Sequence, residues 1–201
     1  MDGGTLYLFT DKLHQYAEAS PEDKIKDILK NFARFPQMLA GYKLNWAIII
    51  QAEKRYNHDA HRSTLGMRVQ ISTISNPTMS EAISNFEIET AHTNNGLHRV
   101  LQDTDTPDQH VMEKCIIDDM QDDYKIVQNL IHMIGGTNEK MLLRYLEREN
   151  ISLQQLADEC HLELATYKKK IYTIKKAVLI SAAECIGVKY GIIQRGRHGE
   201  S

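Results

Sequence analysis

Apolar residues recur along most of this chain at steps of three and four, the spacing of one helix face, and seldom alternate as a strand requires. Ser20-Pro21-Glu22-Asp23 combines a capping residue, proline at the first helical position and acids in the first turn, so a helix is expected to start there. It carries Ile25, Ile28, Leu29 and Phe32 until Pro36 forces a break or kink. Phe35, Leu39, Tyr42, Trp46 and Ile49 continue as a stripe, and Tyr56 extends it by a further heptad. Such a stripe is expected to face a core, with a coiled-coil seam between two copies as the alternative.

The period disappears between Asn57 and Asn76, where HDAHRSTLGMRVQISTISNP reads as a loop or short hairpin arm with VQIST as a brief strand candidate. Asn76-Pro77-Thr78 repeats the cap-and-proline signature and predicts a helix from about Pro77 towards Thr90, ending before Asn94-Asn95-Gly96, with a further short helical turn over Leu97 to Gln102. Thr106-Pro107-Asp108 starts the most regular segment, in which Ile117, Met120, Tyr124, Val127, Ile131 and Ile134 form one stripe. Asp118-Asp119, Asp122-Asp123 and Lys125 supply its expected polar face, and Gly135-Gly136 its stop.

Beyond the glycines three short helices follow in close succession. Thr137-Asn138-Glu139-Lys140 is expected to cap one holding Met141, Leu142, Leu143, Tyr145 and Leu146, ended by Glu149-Asn150. Ser152 caps the next, with Gln155 at the capping-box position. This is the layout of a helix-turn-helix unit. Such a unit needs a small residue where its helices cross, apolar residues around the turn, and an outward face on the last helix. Ala157 is the small residue, and Leu153, Leu156, Cys160 and Leu162 form the framework with inward-facing Tyr167, Ile171, Ile174 and Val178. Ala165, Thr166, Lys168, Lys169, Lys170, Tyr172, Thr173 and Lys176 then face outward or sideways as candidate DNA contacts: the lysines towards phosphates, Thr166 and Tyr172 towards phosphates or base edges. With no Arg, Asn or Gln on that face for bidentate reading, strong direct readout is not expected from this helix alone. His161 stands where the turn usually carries Gly, a position often needing positive φ.

The pattern predicts an all-α protein: an irregular segment over residues 1–20, a helical region over 21–134 with a loop near 57–76, a helix-turn-helix domain over 137–186, and a flexible basic tail over 187–201. Charge divides along the same line. Residues 140–201 hold 11 Lys and Arg against 7 Asp and Glu, whereas residues 1–139 hold 13 against 20, within a net charge of −3. The positive end is the one that would meet nucleic acid.

The run LLRYLERENISLQQLADECHLELATYKKKIYTIKKAV resembles the fourth region of sigma-70-type factors, where a helix ending in RY precedes a short turn, a second helix and a basic third helix. The whole arrangement resembles the phage and prophage late-gene transcriptional regulators of the ArpU and RinA type. This likeness extends over residues 112–185 and, in layout, over 22–90, where RSTLGMRVQISTISNPTMSEAI is similar to the loop and helix start of those proteins. It implies sequence-specific binding of double-stranded DNA, control of transcription, and RNA polymerase as a second partner.

Other chemistry finds little support. His58 and His61 are three apart, but no further His or Cys nearby completes a ligand set, and His92 and His98 are read as solvated loop residues; no metal and no cofactor are expected. The chain has no nucleophile elbow, P-loop or other Gly-rich phosphate cradle, so no enzyme activity is expected. Cys115, Cys160 and Cys185 form no CxxC pair, WAIII and AVLISAA fall far below the roughly 18 residues of a membrane span, and the N-terminus carries no basic leader. A cytoplasmic protein, in the bacterial cytosol or nucleoid, is expected. The heptad stripes at 35–56 and 117–134 permit an intramolecular hairpin or a homodimer. A non-enzymatic interaction module, such as an inhibitor of a host defence nuclease using the same helices against a protein partner, is the alternative reading.

Overall fold

The structure, a computed structural model, describes residues 4–64 and 94–197. These residues are helical throughout apart from their connections, with no strand among them. In chain order the helices are α1 (Gly4–Glu18), α2 (Pro21–Lys30), α3 (Phe35–Thr64), α4 (Asn94–Val100), α5 (Pro107–Ile134), α6 (Gly136–Leu146), α7 (Leu153–Glu159) and α8 (Leu164–Arg197). Among the described residues no helix is long and apolar enough to cross a membrane. The strand candidate VQIST and the helix expected over 77–90 lie outside the described residues.

Two compact units divide the chain: residues 1–13 with 40–117, and residues 14–39 with 118–201. In the first, Trp46 and Ile50 of α3 are buried, as are Leu97 and Val100 of α4, Leu101 just after it, and Ile116 and Ile117 of α5. The Trp46 indole donates to the His110 carbonyl at 3.0 Å. His110, itself buried, lies between two carboxylates: Nδ1 is 3.1 Å from Glu113 and Nε2 3.0 Å from Glu53. A neutral imidazole donates only once, so satisfying both contacts calls for the charged form. Burial opposes that charge, but the hydrogen bonds to Glu113 and Glu53 outweigh it and hold the pKa above the ordinary imidazole value.

In the second unit Ser20 caps α2 through its side chain, accepting from the Asp23 amide, and Pro21 occupies the first helical position. The Ile25, Ile28 and Leu29 face of α2 is buried, and α2 packs against α8. Phe35 stacks on Tyr124 of α5 with ring centroids 5.2 Å apart, and Phe32 meets the same ring at 5.4 Å. The Tyr124 hydroxyl donates to the Phe32 carbonyl at 3.4 Å, closing the α2–α3 turn onto α5.

Several expectations need correction. The segment expected to be irregular over 1–20 is helical from Gly4, because Leu13 and Tyr16, one helical step apart, are both buried. The loop expected from Asn57 begins later, since α3 continues to Thr64. Along α3 the buried positions are Phe35, Leu39, Trp46 and Ile50, while Ile49 is half-buried and Tyr56 is 73% exposed. A straight helix drifts by about 20° per heptad, so a seven-residue stripe leaves the core after two heptads. The short helical turn expected over Leu97 to Gln102 begins earlier, with Asn94-Asn95-Gly96 as the first residues of α4. Gly135, at φ 65°, is the N-cap of α6 in place of Thr137, and Gly136 follows at φ 61°. Asp123, expected on a solvated face, is fully buried. The tail expected to be flexible from 187 remains helical to Arg197, and Lys189 and Tyr190 within it are bound to Asp123.

Asp123 is the centre of a polar cluster in this unit. Its carboxylate accepts from Tyr16 at 3.0 Å, from Tyr190 at 3.2 Å and from Lys189 at 3.2 Å. Lys189 also reaches Asp119 at 2.8 Å. The buried ammonium of Lys24 lies 4.0 Å from the Tyr190 ring centroid and 5.1 Å from that of Tyr16. Burial raises the Tyr16 and Tyr190 pKa values, reinforced by the Asp123 charge, so both hydroxyls stay protonated and able to donate.

Candidate nucleic-acid interface

The three C-terminal helices are locked together from the turn outward. Asn150, at φ 59°, redirects the chain after α6, and Ser152 then starts α7 with a complete capping box: its hydroxyl accepts from the Gln155 amide while the Gln155 side chain accepts from the Ser152 amide. Such a cap contributes about 1 kcal/mol. At the other end of α7 the Leu162 amide donates to the Ala157 carbonyl at 3.0 Å, and the His161 amide to Asp158 at 3.0 Å. These two bonds form a Schellman closure, with His161 as its left-handed residue at φ 53°. The position usually given to Gly is thus held by a residue that tolerates the conformation at some cost.

Inside this arch, Met141, Leu156, Ala157, Tyr167 and Ile171 are buried together, and Leu153, Cys160, Leu162, Leu164 and Ile174 pack around them. The framework residues Leu153, Leu156, Ala157, Cys160, Leu162, Tyr167 and Ile171 are therefore brought together. Ala157 is fully buried, where a larger side chain would force α7 away from its neighbours. Arg144 of α6 grips Glu159 of α7 with two hydrogen bonds, from Nε and Nη2, each 3.2 Å long. That bond holds the Glu159 carboxyl below its ordinary range. The Tyr167 hydroxyl has no hydrogen-bond partner among the described residues.

The other face of α8 is open. Ala165, Thr166, Lys168, Lys169, Lys170, Tyr172, Thr173 and Lys176 are all exposed, Tyr172 to 68%. Successive helical residues turn by about 100°, so Lys168, Lys169 and Lys170 fan out in three directions, and Lys169 points opposite the Tyr167–Ile171 stripe. Lys169, Thr173, Lys176 and Ile180 follow one another along the outermost row, with Ala165 and Tyr172 beside it. Lys175 belongs elsewhere: it is half-buried and turned towards Tyr145 of α6, 6.0 Å from the ring centroid. Thr173 donates its hydroxyl proton to the Lys169 carbonyl at 2.9 Å. Glu184 ends the basic run one turn beyond Ile180.

Sequence reasoning missed the length of α8, 34 residues or about 50 Å, which carries both this basic face and the Lys189 and Tyr190 partners of Asp123. Its signal was present in Val178, Ala182 and Ile186, spaced by four. Among the described residues no three His, Cys, Asp or Glu side chains are grouped as a metal ion requires. The side chains of His61, His92 and His98 lie outside the described residues. Compared with known proteins, the chain matches no family model, no curated protein and no solved structure.

Proposed function

We propose that this protein is a DNA-binding transcriptional regulator of the phage or mobile-element kind, with α6, α7 and α8 as a helix-turn-helix that lays the start of α8 in the major groove. The observation that carries the reading is the lysine fan: Lys168 and Lys170 flank Lys169 on the open side of a helix whose opposite side is fixed by Tyr167 and Ile171. A helix seated in a groove has phosphates on both sides, and lysines splayed around its axis reach both strands' backbones at once. A solvated face would not need its cations gathered at the N-terminal turns, where the helix dipole disfavours them. Contact with RNA polymerase, resting on the likeness to sigma-type regulators, and pairing of two copies through the heptad-patterned helices are further parts of the proposal.

Tyr172 and Ile180, exposed beside the same lysines, favour a second reading in which this face docks on an acidic protein surface. Fluorescence anisotropy of the full chain against labelled duplexes from its own genomic neighbourhood, with random duplex as competitor, separates the two. Competitor-resistant binding to one fragment is expected. Equal, weak binding to every fragment would favour the protein-partner reading.

A further inference from the structure

The outer row of α8 carries unusual reading chemistry. Among the described residues of its exposed basic face there is no Arg, Asn or Gln, the side chains that recognise guanine or adenine in two-point fashion. The lysines are point charges suited to phosphates or to guanine acceptors. Thr166 and Tyr172 carry hydroxyls on this face, and its small apolar groups are the Ala165 methyl and the Cγ2 methyl of Thr173. Thr173 would ordinarily count as a polar reader, but its hydroxyl proton is given to the Lys169 carbonyl at 2.9 Å. With its hydroxyl proton spent on the helix backbone, this exposed side chain has no donor left for a base, and its methyl group is the apolar chemistry it can still offer.

The major groove has one apolar feature, the C5 methyl of thymine. Ala165 and Thr173 are eight residues apart, roughly 12 Å along the axis, on either side of Lys169. We infer that Ala165 and Thr173 are specificity residues that read thymine methyl groups at two separated base pairs, with Lys169 between them. The inference rests on the DNA-binding reading and adds the class of sequence preferred, one with thymines at two fixed positions.

The test is a selection of duplexes from a random library by the full chain, followed by replacement of each recovered thymine with deoxyuridine, which removes only the methyl. Affinity is expected to fall by about fourfold for each contacted methyl withdrawn, the equivalent of one buried CH₂ group. Thr173→Ser keeps the hydroxyl and its bond to Lys169 but removes the methyl, so this variant should bind thymine and uracil duplexes equally at one of the two positions. Enriched sequences that bind equally well with uracil would overturn the inference and leave DNA binding standing. A library with no enrichment at all would overturn both.

Discussion

Tyr167 is 1% exposed at the centre of the α6–α8 packing, and its hydroxyl oxygen has no hydrogen-bond partner among the described residues. Burying a hydroxyl without a partner costs about 1–3 kcal/mol by protein measurements. Its pKa is raised, chiefly by that burial and next by Cys160, so the ionised form gives no escape from the penalty. Tyr167→Phe removes the unpartnered group and keeps the ring that packs on Leu156, Ala157 and Ile171. The void left by one oxygen costs only a few tenths of a kcal/mol, at about 24 cal/mol per Å³. The variant should therefore be more stable by about 1 kcal/mol, a rise in Tm on the order of 2–4 °C for a chain of this size. Urea denaturation followed by circular dichroism measures it, and DNA affinity should be unchanged because the ring lies on the inward face. A loss of about 1 kcal/mol instead would mean that the hydroxyl is satisfied and that the side chains around it pack differently.

Asp123→Ala leaves the Tyr16 and Tyr190 hydroxyls and the Lys189 ammonium without their shared acceptor, and should cost about 3 kcal/mol, the low end for a broken buried pair because Lys189 keeps Asp119; a loss under about 0.5 kcal/mol in the same denaturation assay, as for a surface substitution, would place Asp123 on the solvent. His110 makes stability depend on pH in a stated direction: with its folded pKa above the unfolded value near 6.5, its contribution is complete below that value and is lost as pH rises through the folded pKa. Trp46, the chain's one tryptophan, donates to the His110 carbonyl and reports on this unit by fluorescence during denaturation. His110→Gln should flatten the pH dependence, and an equally steep profile in that variant would remove His110 as its source.

What was legible in the sequence was local. The Ser20-Pro21 start, the Ser152–Gln155 box and the left-handed residue at His161 each depend on a few neighbouring residues, and each formed as read. The packing of α6, α7 and α8 was legible too, because Leu156, Ala157, Tyr167 and Ile171 fall within sixteen consecutive residues. Asp123 was not, since an acid beside other acids reads as solvated, and the groups that bury it stand 66 to 107 residues away. The end of α8 was misread for a different reason. The segment from 187 holds Gly187, Gly191 and two arginines and so reads as a tail, yet glycine in a helix costs only about 1 kcal/mol, and Lys189 and Tyr190 in that segment are bound to Asp123, which local sequence does not show. The outward face of α8 was read from periodicity alone, which cannot show that Thr173 spends its hydroxyl on its own backbone.

Whether the lysine fan on α8 meets phosphates decides the proposed function. The salt dependence of binding to a random-sequence duplex tests it most directly, measured for the full chain and for the Lys168→Ala, Lys169→Ala double variant. The logarithm of the binding constant should fall linearly with the logarithm of salt concentration, and the double variant should lower the slope by about two, close to 0.9 for each phosphate that is no longer neutralised. A slope identical in the two proteins would mean that α8 does not hold the DNA.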